Sequence, residues 1–272
     1  MGMRWSVLLV CAAVAAGCDI QVGERGVTSI GITEGRAEDE WTRTYTVQPG
    51  GTVEIVNVNG FIEATGGAGN QVDVRAERIV RDHGTDNAEA RLKQLQMREE
   101  VSAGRVRIEA EPPRQQGILD HSSVTVNYRV TVPSGVAVML ESDNGEIRLD
   151  NLAGQVTATT INGAIIGEAL SGPLTLDTTN GAIRLDLVAV RGDMKLATVN
   201  GGIRLDVGAD LKATLDATCV NGGINVDGDL KLQTAETSPR RLAGTFNGGG
   251  PGITASTVNG GIRIRARDGR RD

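Results

Sequence analysis

Carboxylates at a regular spacing are the residues of this chain best placed to do chemistry. Asp150, Asp186, Asp206 and Asp227 each stand six places after an asparagine, and Arg148, Arg184 and Arg204 stand four places after one. Stacked carboxylates supply the oxygen ligands that Ca²⁺ takes. A flanking pair can also serve as acid and base on a glycosidic bond. Both chemistries require the carboxylates to converge in a cleft. On the outward side of a repetitive sheet they are solvated instead, and neighbouring Arg and Asp columns neutralise one another while salt screens the like charges. The expectation is therefore a solvated surface, with no catalytic residue, no metal and no cofactor.

Other reactive types are isolated. His83 and His121 have no partners at zinc-ligand spacing. Ser122-Ser123 lie beside His121 without a third orienting group. No glycine-rich loop carries the Lys of a phosphate site. Cys219 has no base or helix N-terminus in its neighbourhood to activate it. Beyond residue 40 the aromatics are Trp41, Tyr45, Phe61, Tyr128 and Phe246, too few for a groove that stacks sugar rings. The net charge is −6, which gives no footprint for nucleic acid. Arg263, Arg265, Arg267, Arg270 and Arg271 gather near the C-terminus and read as a solvated basic tail over 267–272.

The asparagines themselves belong to a repeat. Asn-Gly recurs in VNGFIEA (58–64), DNGEIRL (143–149), INGAIIG (161–167), TNGAIRL (179–185), VNGGIRL (199–205), VNGGINV (220–226) and VNGGIRI (258–264). From Asn144 the steps are 18 to Asn162, 18 to Asn180, 20 to Asn200 and 21 to Asn221, a period that belongs to solenoids and arrays. Asn59 and Asn259 mark the outlying copies.

The columns around each corner are apolar at alternate places. Three residues after each Asn stand Ile62, Ile147, Ile165, Ile183, Ile203, Ile224 and Ile262. Six before it stand Val53, Val138, Val156, Leu174, Met194, Leu215 and Ile253. Four before it stand Ile55, Leu140, Ala158, Leu176, Leu196, Ala217 and Ala255. Period-two alternation on both sides of a turn predicts half-buried strands, with Asn-Gly supplying the positive φ of a tight corner. Two places before the Asn come Asn57, Ser142, Thr160, Thr178, Thr198, Cys219 and Thr257, so Cys219 is a packing substitute in a small polar slot. Identical columns favour parallel stacking, about 4.8 Å between coils; a hairpin meander in a sandwich is the alternative. The predicted fold is all-β, a single parallel β-solenoid.

Residues 1–17 have the build of a secretion signal, with Arg4, an apolar run from Val7 to Ala16 and small residues Ala15-Ala16-Gly17. The run is too short for a transmembrane helix. These residues resemble a bacterial lipoprotein signal, which implies cleavage before Cys18 and lipid on its sulfur and amino group. Ala15 departs from the Leu that such a signal favours, and an ordinary signal peptide is the alternative. Asp19 holds lipoproteins at the inner membrane in some enteric bacteria and not in others, so inner and outer membrane stay open.

After Cys18, residues 18–40 are polar and Gly-punctuated and read as a flexible tether. Residues 41–134 hold N-terminal strands, the first coil and a capping insertion. Within the insertion strands are expected at 71–80, 95–101, 105–111 and 124–132, and a short helix is expected where Asp86 and Glu89 have capping-box spacing. Residues 135–266 form the repeat β-solenoid, interrupted at 233–251 by a polar loop before the last coil.

The VQPGGTVEIVNVNGFIEATG opening, the YRVTVPSG strand and the T-x-N-G-x-I run resemble the bacterial putative-adhesin family of domains of unknown function, over most of 41–266. The resemblance implies a β-solenoid and an envelope location, and carries over no catalytic residues. The expected function is a non-catalytic, lipid-anchored envelope scaffold, held to the membrane by its N-terminus and contacting an unknown envelope protein, glycan or surface. An envelope polysaccharide hydrolase or lyase on a β-helix is one alternative. An accessory factor in envelope-stress signalling is the other.

Overall fold

The computed structural model describes residues 18–23, 26–32, 34–113, 122–228 and 230–267, the first two segments as backbone only. Among the described residues the chain is all-β, with long sheets and one short helix. The described residues begin with β1 (Cys18–Gly23) and β2 (Gly26–Ile32), an antiparallel pair that forms a two-stranded sheet of its own. Then come β3 (Glu34–Thr46), β4 (Thr52–Asn59), β5 (Ile62–Gly67) and β6 (Gln71–His83). The helix α1 (Thr85–Gln94) precedes β7 (Gln96–Ser102), β8 (Arg105–Glu111) and β9 (Ser123–Pro133).

The repeats follow as strand pairs bent at Asn-Gly. They are β10 (Ala137–Asn144) with β11 (Ile147–Asp150), β12 (Val156–Asn162) with β13 (Ile165–Leu170), and β14 (Leu174–Thr178) with β15 (Ile183–Leu187). Next are β16 (Met194–Asn200) with β17 (Ile203–Val207), and β18 (Ala213–Asn221) with β19 (Ile224–Asp227). A hairpin of β20 (Leu232–Ser238) and β21 (Arg241–Phe246) comes before the last pair, β22 (Gly252–Asn259) with β23 (Ile262–Ala266).

Each bent pair gives one strand to each of two sheets. The first runs β20-β21-β18-β22-β16-β14-β12-β10-β4-β8-β7, and the second β19-β23-β17-β15-β13-β11-β5-β9-β6-β3. Neighbouring units pair parallel and in register, Ile147 with Ile165, Ile165 with Ile183 and Ile183 with Ile203. Between the sheets Ile62, Ile147, Ile165, Ile183, Ile203 and Ile262 are buried, as are Val53, Val138, Val156, Leu174, Met194, Leu215 and Ile253. Full burial of one such side chain is worth about 1.5–3 kcal/mol. Ile224 and Val226 are only half-buried, because β19 is the last strand of its sheet.

Spatial order departs from chain order at both ends. The insertion after the first corner contributes a further unit, β8 with β9, which pairs parallel with β4 and β5 on the side away from β10 and β11. Tyr128 there takes the column place of isoleucine, opposite Ile62. At the other end β22 and β23 enter between β16/β17 and β18/β19. Asn200 therefore neighbours Asn259, and Asn259 neighbours Asn221.

Several expectations change here. Residues 34–40, expected in the tether, already belong to β3, which pairs with β6 along its whole length. Backbone pairing needs no apolar side chains, and a polar edge strand resists further pairing. The stretch 233–251 is mainly the hairpin β20–β21, whose second strand pairs antiparallel with β18. The helix starts at Gly84 (φ 81°) without a side-chain cap, so Asp86 lies inside its first turn rather than at its cap. Gly84 serves because few side chains tolerate that φ. The signal segment 1–17, His121, Arg270 and Arg271 lie outside the described residues.

Candidate functional site

The corner asparagines form one continuous ladder. Asn144 Nδ2 donates to Asn59 Oδ1 at 3.1 Å, Asn162 to Asn144 at 2.8 Å, Asn180 to Asn162 at 2.9 Å and Asn200 to Asn180 at 2.8 Å. The ladder continues from Asn259 to Asn200 at 2.8 Å and from Asn221 to Asn259 at 2.9 Å. Such stacked amides recur wherever like strands pile in register. Beneath them Thr160, Thr178, Thr198 and Thr257 donate to the corner carbonyls of Gly145, Gly163, Gly181 and Gly201 at 2.8–3.1 Å. In the same buried column Cys219 Sγ lies 3.9 Å from the Pro239 carbonyl, and Ser142 Oγ is buried without a partner.

The glycine after each Asn has a different cause from the one expected. Of the corner glycines only Gly60 has positive φ, at 114°. The others are required by close approach. A Cβ on Gly145, Gly163, Gly181, Gly201, Gly222 or Gly260 would stand 1.8–2.0 Å from the corner carbonyl oxygen of the adjacent unit. Any side chain there would force neighbouring units apart.

Outward from the corner lies the charged face. Asp186 and Asp206 are register neighbours, but Asp206 next faces Arg265, and Arg265 faces Asp227. Asp150 faces Glu168. The supposed aspartate column is thus interrupted by an arginine, because the last unit of the chain enters the stack before β18/β19. Arg204 and Arg265 reach Asp206 at 2.8 and 3.2 Å, Arg267 pairs with Asp186, and Arg263 reaches Asp227 at 3.5 Å. Arg148 turns to Glu146 at 2.5 Å. Exposed pairs of this kind contribute about 0–1 kcal/mol each. Among the described residues no three His, Cys, Asp or Glu side chains are grouped to hold a metal ion.

A second charged cluster, not foreseen, joins β4 of the first unit to β8 of the added one. Glu54 receives Arg105 and, at 2.9 Å, Arg107. Burial pushes the Glu54 carboxyl up, but the two guanidinium groups together hold it below the usual carboxylate range. Burial likewise drives the phenols of Tyr128 and Tyr45 well above their ordinary value, helped at Tyr45 by the bond to Glu99 at 2.6 Å. His83 sits at the end of β6 with its backbone N–H on Asp82 Oδ1 at 2.7 Å. Column matching on Asn-Gly could not find the added unit, since β8 and β9 have no Asn-Gly corner. Its alternating apolar residues, Val106, Ile108, Val126, Tyr128 and Val130, were the available signal.

Two sheets of stacked, in-register bent units define an all-β repeat protein whose regular feature is one outward face. The family model described as Toastrack DUF4097 matches residues 115–265, more than half of the chain. The chain belongs to that family, which upholds the resemblance to putative-adhesin domains of unknown function. No curated protein matches it. Among solved structures it is similar to a putative cell adhesion protein from Clostridium sporogenes, at 12% identity and TM-score 0.48 over 84% of this chain and 100% of that one. It is also similar to a putative adhesin from Bacteroides fragilis, at 14% identity and TM-score 0.31 over 84% and 97%. A putative lipid binding protein from Parabacteroides distasonis shows 11% identity and TM-score 0.22 over 85% and 97%. Likenesses this distant transfer no function.

Proposed function

We propose that this chain is a non-catalytic envelope scaffold, a parallel β-solenoid with elaborated ends, held to a bacterial membrane by lipid on Cys18. The observation that carries this is the in-register corner ladder, which runs through seven asparagines from Asn59 to Asn221. It fixes a long, regular face whose outward charges are largely paired with one another. A face of that kind suits contact with a partner or glycan better than bond cleavage, which needs carboxylates free to exchange protons. The antiparallel strands at the two ends serve as caps that keep the stack from recruiting other strands.

Pull-down from membranes with the lipidated protein tests the scaffold, with retained envelope partners as the expected result. Turnover of a screened glycan that is lost in Asp186→Asn/Asp206→Asn, with folding intact, would replace it with a polysaccharide enzyme. Cys18→Ser tests the anchor: the variant is expected in the soluble fraction, and retention at the membrane would refute lipid attachment there.

A further inference from the structure

Three adjacent units present Arg184, Arg204 and Arg263 as direct register neighbours on the outward side of the second sheet. Like charges opposite one another on neighbouring strands are unfavourable. Arg204 and Arg263 are offset by Asp206 and Asp227 at 2.8 and 3.5 Å. Arg184 is exposed and makes no ion pair among the described residues. Next to this row the second glycine of the corner recurs as Gly202, Gly261 and Gly223, where other units carry Phe61, Glu146, Ala164 and Ala182.

The second glycine, unlike the first, is imposed neither by positive φ nor by a backbone contact under 3 Å. None of the three has positive φ. A Cβ would meet its nearest atom at 3.1 Å on Gly202 and 3.2 Å on Gly261, and nothing within 4 Å on Gly223. The missing side chains leave a shallow groove of about 310 Å³, floored by backbone and walled by the arginines. Guanidinium groups bind carboxylates in a planar, bidentate manner that suits an unobstructed approach.

We propose that this groove binds an extended acidic polysaccharide, its carboxylates seated on the arginine row and its sugar backbone on the glycine floor. The proposal rests on the scaffold function above and names its ligand class. A nucleic acid fits less well, since its single strands call for stacking aromatics and the groove is lined by none.

Titration of the full-length chain with polygalacturonate, with neutral dextran as control, tests this. Binding to polygalacturonate alone is expected, and it should weaken as salt rises. Removing three exposed charge contacts in Arg184→Ser/Arg204→Ser/Arg263→Ser should weaken it about tenfold. Gly223→Leu fills the groove without changing charge, and should weaken binding at an unchanged melting temperature. Equal binding to dextran, an undiminished arginine variant, or equally tight binding of a single-stranded oligonucleotide would overturn the proposal. A wild-type chain that retains envelope partners yet ignores polygalacturonate sinks the groove alone, whereas glycan turnover sinks the scaffold function instead.

Discussion

Ile183 and Ile224 occupy the same place in the repeat and live in different surroundings. Ile183 lies between Ile165 and Ile203 and is fully buried. Ile224 has a neighbour on one side only, Ile262, and stays half-exposed. The interior of the stack is therefore cooperative, each unit covered by two others, while its C-terminal edge depends on a single contact and on the β20–β21 hairpin. A residue's role here is set less by its motif than by how many units flank it.

Substitutions can break or sharpen that contrast. The largest loss is expected for Ile183→Asp, which places an unpaired charge in the core and should unfold the stack locally, by more than about 4 kcal/mol. Truncation to alanine should cost about 2–5 kcal/mol at Ile183 and clearly less at Ile224; equal losses in a denaturant series would erase the distinction. At the corner, Gly181→Ala must push apart two backbones and should lower the melting temperature markedly, whereas Gly223→Ala should leave it nearly unchanged. Removing one ladder amide in Asn180→Ala should cost about 1 kcal/mol. Arg184→Ser should stay within about 0.5 kcal/mol, and a melting loss like that of Ile183→Asp would show the faces to be exchanged.

Titration probes the N-terminal end in the same way. The Tyr128 phenol titrates higher folded than unfolded, so the folded state keeps its proton where the unfolded chain has lost it. Stability from this source is complete below the ordinary phenol value of 10.0 and is lost as pH rises above it. Tyr128→Phe should flatten that alkaline decline. Glu54 behaves oppositely, its contribution present above the ordinary value of 4.5 and lost as pH falls.

Much of the interior was legible because parallel stacking writes the same residue type at the same place in every unit. The isoleucine column, the polar slot holding Cys219 and the strands expected at 71–80, 105–111 and 124–132 could be read from alternation alone, and β6, β8 and β9 lie there with slightly longer ends for β6 and β9. The glycine of the corner was visible, yet its cause was not: positive φ and a carbonyl 1.8–2.0 Å from where a Cβ would stand both demand glycine, and a sequence does not distinguish them. The charged face misled for a related reason. Asp186, Asp206 and Asp227 share a place in the motif, but a column exists only between units that touch.

By itself, then, the sequence determined what each unit is: two short strands, an Asn-Gly bend, aliphatic residues within and charges without, because alternation and glycine act over a few residues. Which unit neighbours which was decided by the tertiary structure alone. Every unit offers the same apolar surface and the same backbone edge, so the local code is indifferent to order. Only the complete chain, with β8/β9 outside the first unit and β22/β23 inside the last, fixes the sequence of charges along the face.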